Sequence, residues 1–146
     1  MTTYEIESAL DDAGAPYDRR AAAFDRMVRS RAYNRLAWGV APADYEAFAR
    51  EAVADGDGPL LEAAAGSAPA TALLHARSGR QTVVSDLSRA MLERAADRIG
   101  EAAPANEAAG RIRLVQADAL DLPFQPASFA TVLTLGSLHL FADVGR

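Results

Sequence analysis

Apolar positions change period partway along the chain. Up to about residue 54 they recur every three or four residues, and beyond residue 59 they gather into short runs bounded by turn residues. The first pattern predicts helices over 4–13, 17–36 and 42–54, broken at Gly14-Ala15-Pro16 and at Gly39-Val40-Ala41-Pro42. No strand pattern is expected there. Within the second helix Tyr17, Ala21, Phe24, Val28 and Ala32 form one apolar stripe, while Asp18, Arg19, Asp25 and Arg29 take the other faces.

The second pattern predicts four strands. Pro59-Leu60-Leu61-Glu62 is an apolar run that ends in an acid. The β-branched stretch Gln81–Ser85 ends in Asp86, Ile112–Ala117 runs into Asp118, and Ser128–Leu135 is followed by Gly136. Helices over Thr71–Arg77 and Arg89–Ile99 separate the first three. Ser88 is the expected N-cap of the later helix, whose Met91, Leu92, Ala95, Ala96 and Ile99 share a face. Strands alternating with helices imply a parallel sheet, so the fold class is α/β, doubly wound. The turn cluster Asp55-Gly56-Asp57-Gly58-Pro59 divides a helical cap, 1–55, from a sheet domain, 56–146.

Between the first strand and its helix lies Ala63-Ala64-Ala65-Gly66-Ser67-Ala68-Pro69. Tiny side chains there let a ligand approach the backbone and the helix start, as they do at the crevice of doubly wound sheets. A dinucleotide fingerprint would need Gly-x-Gly-x-x-Gly, and this loop lacks the second close-approach Gly, which disfavours a pyrophosphate. An Ala-rich turn without a ligand is the plain alternative for the loop taken alone.

The register of Glu62–Ala68 resembles the first motif of the class I S-adenosylmethionine-dependent methyltransferases, with Ala64 and Ala68 in place of the usual first and last Gly. Asp86, twenty-four residues after Glu62, and the Asp118-Ala119 that precedes Leu122-Pro123-Phe124 agree with that family's next motifs. The resemblance implies a Rossmann-like sheet of order 3-2-1-4, covering half to two-thirds of the family fold. It implies S-adenosyl-L-methionine as cofactor, bound by Glu62, Ala64 and Gly66 of the loop. Asp86 would accept from the ribose hydroxyls beside Leu87, and Asp118 and Ala119 would meet the adenine, with Leu135 nearby. Tyr17 and Phe24 are the lid residues of the implied cap. His139 sits where relatives place a His near the substrate, and a neutral imidazole could take a proton from an attacking hydroxyl or amine; a packed His at the sheet end is the alternative. The implied activity is methyl transfer to a small-molecule acceptor, and the rival is a non-catalytic cofactor-binding module.

Composition narrows the partners. The net charge is -5 and every one of the fifteen basic residues is Arg, with no clustered basic face, so nucleic acid is not an expected partner. With no Cys and only two His, far apart, no metal site is expected. No apolar run approaches a membrane span and Met1–Glu5 lacks a signal pattern, so a cytoplasmic location with no membrane partner is expected. The exposed edge of the fourth strand predicts a homodimer or a complementing chain, with Val132, Leu133 and Leu135 unpartnered on one flank.

Overall fold

The computed structural model describes residues 4–10, 18–103 and 110–137. Its centre is a parallel sheet of five strands: β1 (Ile6–Ser8), β2 (Leu60–Glu62), β3 (Thr82–Asp86), β4 (Ile112–Gln116) and β5 (Thr131–Leu133). They lie in the order β1-β4-β3-β2-β5. The four expected strands keep their predicted relative order, and β1 adds a fifth at the β4 edge.

That fifth strand corrects the helix expected over 4–13, since Ile6, Glu7 and Ser8 pair with Leu114, Val115 and Gln116. Three residues with one apolar side chain carry no readable period; β1 is defined by what it joins. Glu7 is bound by the Arg113 guanidinium at 2.7 and 3.0 Å, and Ser8 Oγ donates to Gln116 Oε1. β5 is shorter than the run Ser128–Leu135 suggested. Gly58 explains its close start, because a side chain there would come within 2.7 Å of Ala130 Cβ.

The remaining described segment is helical. A short 3-10 turn (Asp18–Arg20) leads into α1 (Ala21–Val28), α2 (Arg31–Trp38) and α3 (Pro42–Ala54). One long helix over 17–36 was expected. The break falls at Ser30, whose extended backbone starts a new helix and whose hydroxyl accepts from Tyr33 N–H. Asn34 clamps the joint, its buried amide donating to Val28 and Ser30 carbonyls at 2.6 and 2.9 Å. α3 starts as expected, with Pro42 in its first turn and the Asp44 carboxylate reaching back to Ala41 N–H.

Helices α4 (Ala72–Ser78) and α5 (Arg89–Ala102) cover one face of the sheet. Ala72, Ala76, Leu92, Ala95 and Ile99 pack there on Val84, Ile112 and Leu114. The other face, Leu61, Val83 and Val115, lies under Leu122, Phe124 and Phe129, the two rings edge to face at 5.1 Å. Arg80, 5 % exposed, ties the β2–β5 side together by donating to Gly58 and Val53 carbonyls and to Thr131 Oγ1.

At the outer strand the expectation of three unpartnered residues holds for one. Val132 is 64 % exposed, but Leu133 is 3 % exposed beneath α3, and Leu135 is half-buried. Among the described residues no strand pairs with the outer edge of β5. None of the described helices is long and apolar enough to cross a membrane.

Candidate cofactor site

Because all strands are parallel, every chain segment leaving a strand does so at the same end of the sheet. Glu62 lies level with Val84 and Leu133, Asp86 level with Gln116, and Asp118 two residues further on. The three acidic positions are thus brought to the carboxyl end of the sheet, where the expected crevice lies. It is distinct from a cavity of about 340 Å³ at the opposite, amino end, lined in part by Pro59, Gln81, Arg111 and Phe129.

The loop after β2 is held from below and from the side. Ala63 N–H donates to the Leu133 carbonyl and Ala65 N–H to the Ser85 carbonyl, both at 2.9 Å. Gly66 N–H donates to Asp86 Oδ2 at 2.7 Å, while Asp86 Oδ1 accepts from Ser88 N–H at 2.8 Å. One carboxylate therefore pins the loop and opens α5. Each oxygen keeps a second lone pair for a further donor. Burial raises the Asp86 pKa, and the negative charges of Asp18 and Glu62 push the same way against those two amide bonds.

Three alternate small positions have left-handed backbone: Ala64 (φ 51°), Gly66 (φ 55°) and Ala68 (φ 49°). A side chain on Gly66 would meet nothing within 4 Å, so the protein leaves open space above the loop tip. This is where a ligand's backbone approach fits. The two Ala residues occupy conformations that Gly adopts freely, at a strain of roughly 1 kcal/mol each. Ala68 adds a buried methyl to the core, but Ala64 does not. Ala64→Gly is expected to raise the melting temperature by a few degrees, the relief exceeding the extra chain entropy of Gly; an unchanged or lower melting temperature would show the strain is absorbed elsewhere.

The other predicted residues are placed as follows. Leu87 is half-buried and its carbonyl accepts from Gln116 Nε2 at 3.1 Å. Asp118 and Ala119 are half-buried, and Asp118 Oδ1 accepts from Leu120 N–H at 2.9 Å, which shapes the turn after β4. Glu62 is not open to the crevice: its side chain is 2 % exposed and its Oε2 meets His75 Nε2 of α4 at 2.5 Å. Phe24 is half-buried on α1, which packs along α5. Tyr17 and His139 lie outside the described residues.

Sequence reading missed the groups that fasten the cap. Asp25 of α1, 4 % exposed, accepts from Ser67 Oγ in the loop and from Arg98 Nη2 of α5 at 2.8 and 3.0 Å; Arg98 Nη1 also donates to the Ser67 carbonyl. Asp18 accepts from Ser88 Oγ and Ala90 N–H at the start of α5. The seven-residue spacing of Asp18 and Asp25, two helical turns, was the available signal. Among the described residues no group of three or more His, Cys, Asp or Glu could hold a metal.

The parallel sheet with its loop after β2 and acidic strand ends is the Rossmann-like fold of the class I methyltransferases. Residues 60–146 match the methyltransferase domain model, and the chain belongs to that family. Three solved structures share its fold. One is a protein of Methanococcus maripaludis assigned provisionally as an S-adenosyl-L-methionine-dependent methyltransferase, at TM-score 0.65 and 18 % identity over 93 % of this chain and 58 % of that one. Another is an S-adenosyl-L-methionine-dependent methyltransferase of Thiobacillus denitrificans in complex with S-adenosyl-L-homocysteine, at TM-score 0.50 and 19 % identity over 73 % and 44 %. The third is the geranyl diphosphate C-methyltransferase of Streptomyces coelicolor, at TM-score 0.51 and 18 % identity over 92 % and 46 %. The chain thus spans 44–58 % of the length of these proteins.

Proposed function

We propose that the chain binds S-adenosyl-L-methionine at the carboxyl ends of β2, β3 and β4 and serves methyl transfer to a small-molecule acceptor. The observation that carries this reading is the Asp86–Gly66 bond: the acidic residue expected at the ribose also fixes the loop expected at the methionine end. The Thiobacillus protein, which shares this fold, is described in complex with S-adenosyl-L-homocysteine, and that supports the choice of ligand.

In this reading Asp86 accepts from the ribose hydroxyls, Asp118 and Ala119 contact the adenine, and Gly66 admits the ligand to the loop backbone. Ala64, Leu87 and Leu135 line the crevice. The bound cofactor supplies a methyl group on a positively charged sulfur, already activated for in-line displacement. The chain's task is then to hold donor and acceptor in line and keep water out, and positioning alone can account for much of such an acceleration. Since β1 belongs to the sheet, the cap expected over 1–55 is reduced to the helical part that holds α1, α2 and α3, with Phe24 and Tyr17 as its aromatic contributions, and His139 acts as a proton acceptor where the substrate needs one. Titration calorimetry with S-adenosyl-L-methionine, S-adenosyl-L-homocysteine and NADH tests the reading. Binding of the first two is expected, and binding of NADH alone would overturn it.

A second reading is favoured by the open outer edge of β5 beside exposed Val132. In it the chain is a cofactor-binding module that becomes active when a second copy or a complementing chain adds a strand there. Sedimentation paired with a methyl-transfer assay separates the two, since a monomer with brisk turnover would exclude the module.

A further inference from the structure

The flank between α1 and α5 holds an open hollow of about 680 Å³ that methyl transfer does not use. Its walls are Ala22, Asp25, Arg26, Arg29, Ser30 and Arg94. α1 runs down α5 from the carboxyl end of the sheet: Asp18, just before α1, meets Ser88 and Ala90 at the start of α5, whereas Asp25 meets Arg94 and Arg98 further along. The hollow therefore lies along the helices and not over the strand ends that carry Asp86 and Asp118.

Three of the six lining residues are Arg and one is acidic, so the charge left over depends on whether that acid is already engaged. It is. Asp25 is 4 % exposed and both its oxygens accept from Arg98 Nη2, at 2.8 and 3.0 Å, while Arg94 Nη1 stands off at 3.8 Å, beyond hydrogen-bond distance. Among the described residues neither Arg26 nor Arg29 has a carboxylate within ion-pair reach, and Glu93 of α5 is taken up by Arg89 at 3.6 Å. Three guanidiniums thus converge on one hollow, and like charges so placed repel one another. Ser30 adds a hydroxyl that accepts from Tyr33 N–H and keeps its own hydrogen to donate. Ser30 also opens α2, whose positive end offsets the negative end of α1 beside it.

Forked cationic donors around a hollow of small-molecule size suit a ligand group with several oxygens and more than one negative charge. We propose that this hollow is a second ligand site, which takes the phosphoryl group of a small molecule on Arg26, Arg29, Arg94 and the Ser30 hydroxyl. Three guanidiniums match one or two phosphoryl groups, not the long basic track that a nucleic-acid backbone needs. The site stands independently of the cofactor reading.

The test is calorimetric titration of the full chain at low ionic strength with pyrophosphate and with acetate. Pyrophosphate is expected to bind with a Kd below about 1 mM and at least about tenfold more tightly than acetate, and to weaken as sodium chloride is added. Arg26→Gln and Arg29→Gln should each lose about tenfold or more, and Arg26→Lys, which keeps the charge but not the fork, should lose less than Arg26→Gln. Arg50→Gln, on α3 and outside the hollow, should bind as the wild type does. Saturating S-adenosyl-L-homocysteine should leave pyrophosphate binding in place. Acetate binding as tightly as pyrophosphate, equal losses in Arg50→Gln and Arg26→Gln, or displacement by S-adenosyl-L-homocysteine would each overturn the proposal. Because the comparison of the two anions and the displacement use the wild type alone, they decide the matter even where a variant fails to fold.

Discussion

Asp86→Ala is expected to lower affinity for S-adenosyl-L-homocysteine by about tenfold or more while barely changing the stability of the free protein. The two effects separate because the carboxylate does opposite things. In the free protein its burial raises the pKa, with nearby Asp18 and Glu62 adding to the rise, so the ionised form is a cost to folding. That cost is fully present above the raised folded pKa and fades as pH falls toward the ordinary Asp value. Against it stand the amide bonds from Gly66 and Ser88. Removing charge and hydrogen bonds together should nearly cancel. Ligand binding has no such cancellation, since the variant loses both an acceptor for the ribose hydroxyls and the anchor of the loop. Adenosine and 2′,3′-dideoxyadenosine divide these losses: the first should suffer an additional roughly 1–3 kcal/mol for its unpaired hydroxyls. Equal losses for the two nucleosides would assign Asp86 to the loop alone. In the wild type, affinity should also weaken as pH falls through the raised Asp86 pKa, because protonation removes an acceptor the ribose uses, and the variant should lack that dependence.

How much of this was readable before folding follows from what each residue depends on. The strands β2 to β4 and their acidic ends were legible because fully buried parallel strands are apolar runs closed by turn residues, and Ser88 was legible as a cap because its role is local. β1 was not, since an edge strand of three residues owes its conformation to Leu114, Val115 and Gln116 over a hundred positions away. The split between α1 and α2 turned on Asn34 reaching back to Val28, a side-chain choice that no period encodes. At the site, Asp86 and Gly66 were found, but their direct bond was not. Glu62 was found as an acid and misjudged in its surroundings, because only the fold brings His75 against it. Ala64 and Ala68 looked like departures from a glycine pattern, and their left-handed backbone shows the pattern's conformation kept without its residue.

Asp25→Ala is expected to give the largest loss of stability of any single change in the cap, about 2–4 kcal/mol, because it strips a buried carboxylate from Arg98 and Ser67 at once. The lower part of that range allows for Arg98, whose side chain is 20 % exposed and can recover water. Burial alone would push Asp25 upward, but the hydrogen bonds from Arg98 and Ser67, with the charges of Arg98 and Arg29, outweigh it and leave the pKa lowered. A carboxyl lowered by folding contributes stability above its ordinary pKa and loses it as pH falls through the lowered value. The wild type should therefore show an acid-side drop in melting temperature that Asp25→Ala lacks, and above that range the two should differ by a constant amount. Arg98→Ala probes the same contact from α5, and a double-mutant cycle should return a coupling of more than about 1 kcal/mol. Additive losses would mean that the cap is held by its apolar packing. Because Ser67 belongs to the loop that Asp86 anchors from the other side, a strong coupling has a consequence for ligand binding. The cap and the loop then form one mechanical unit, and Asp25→Ala should weaken S-adenosyl-L-homocysteine binding although Asp25 need not touch the ligand.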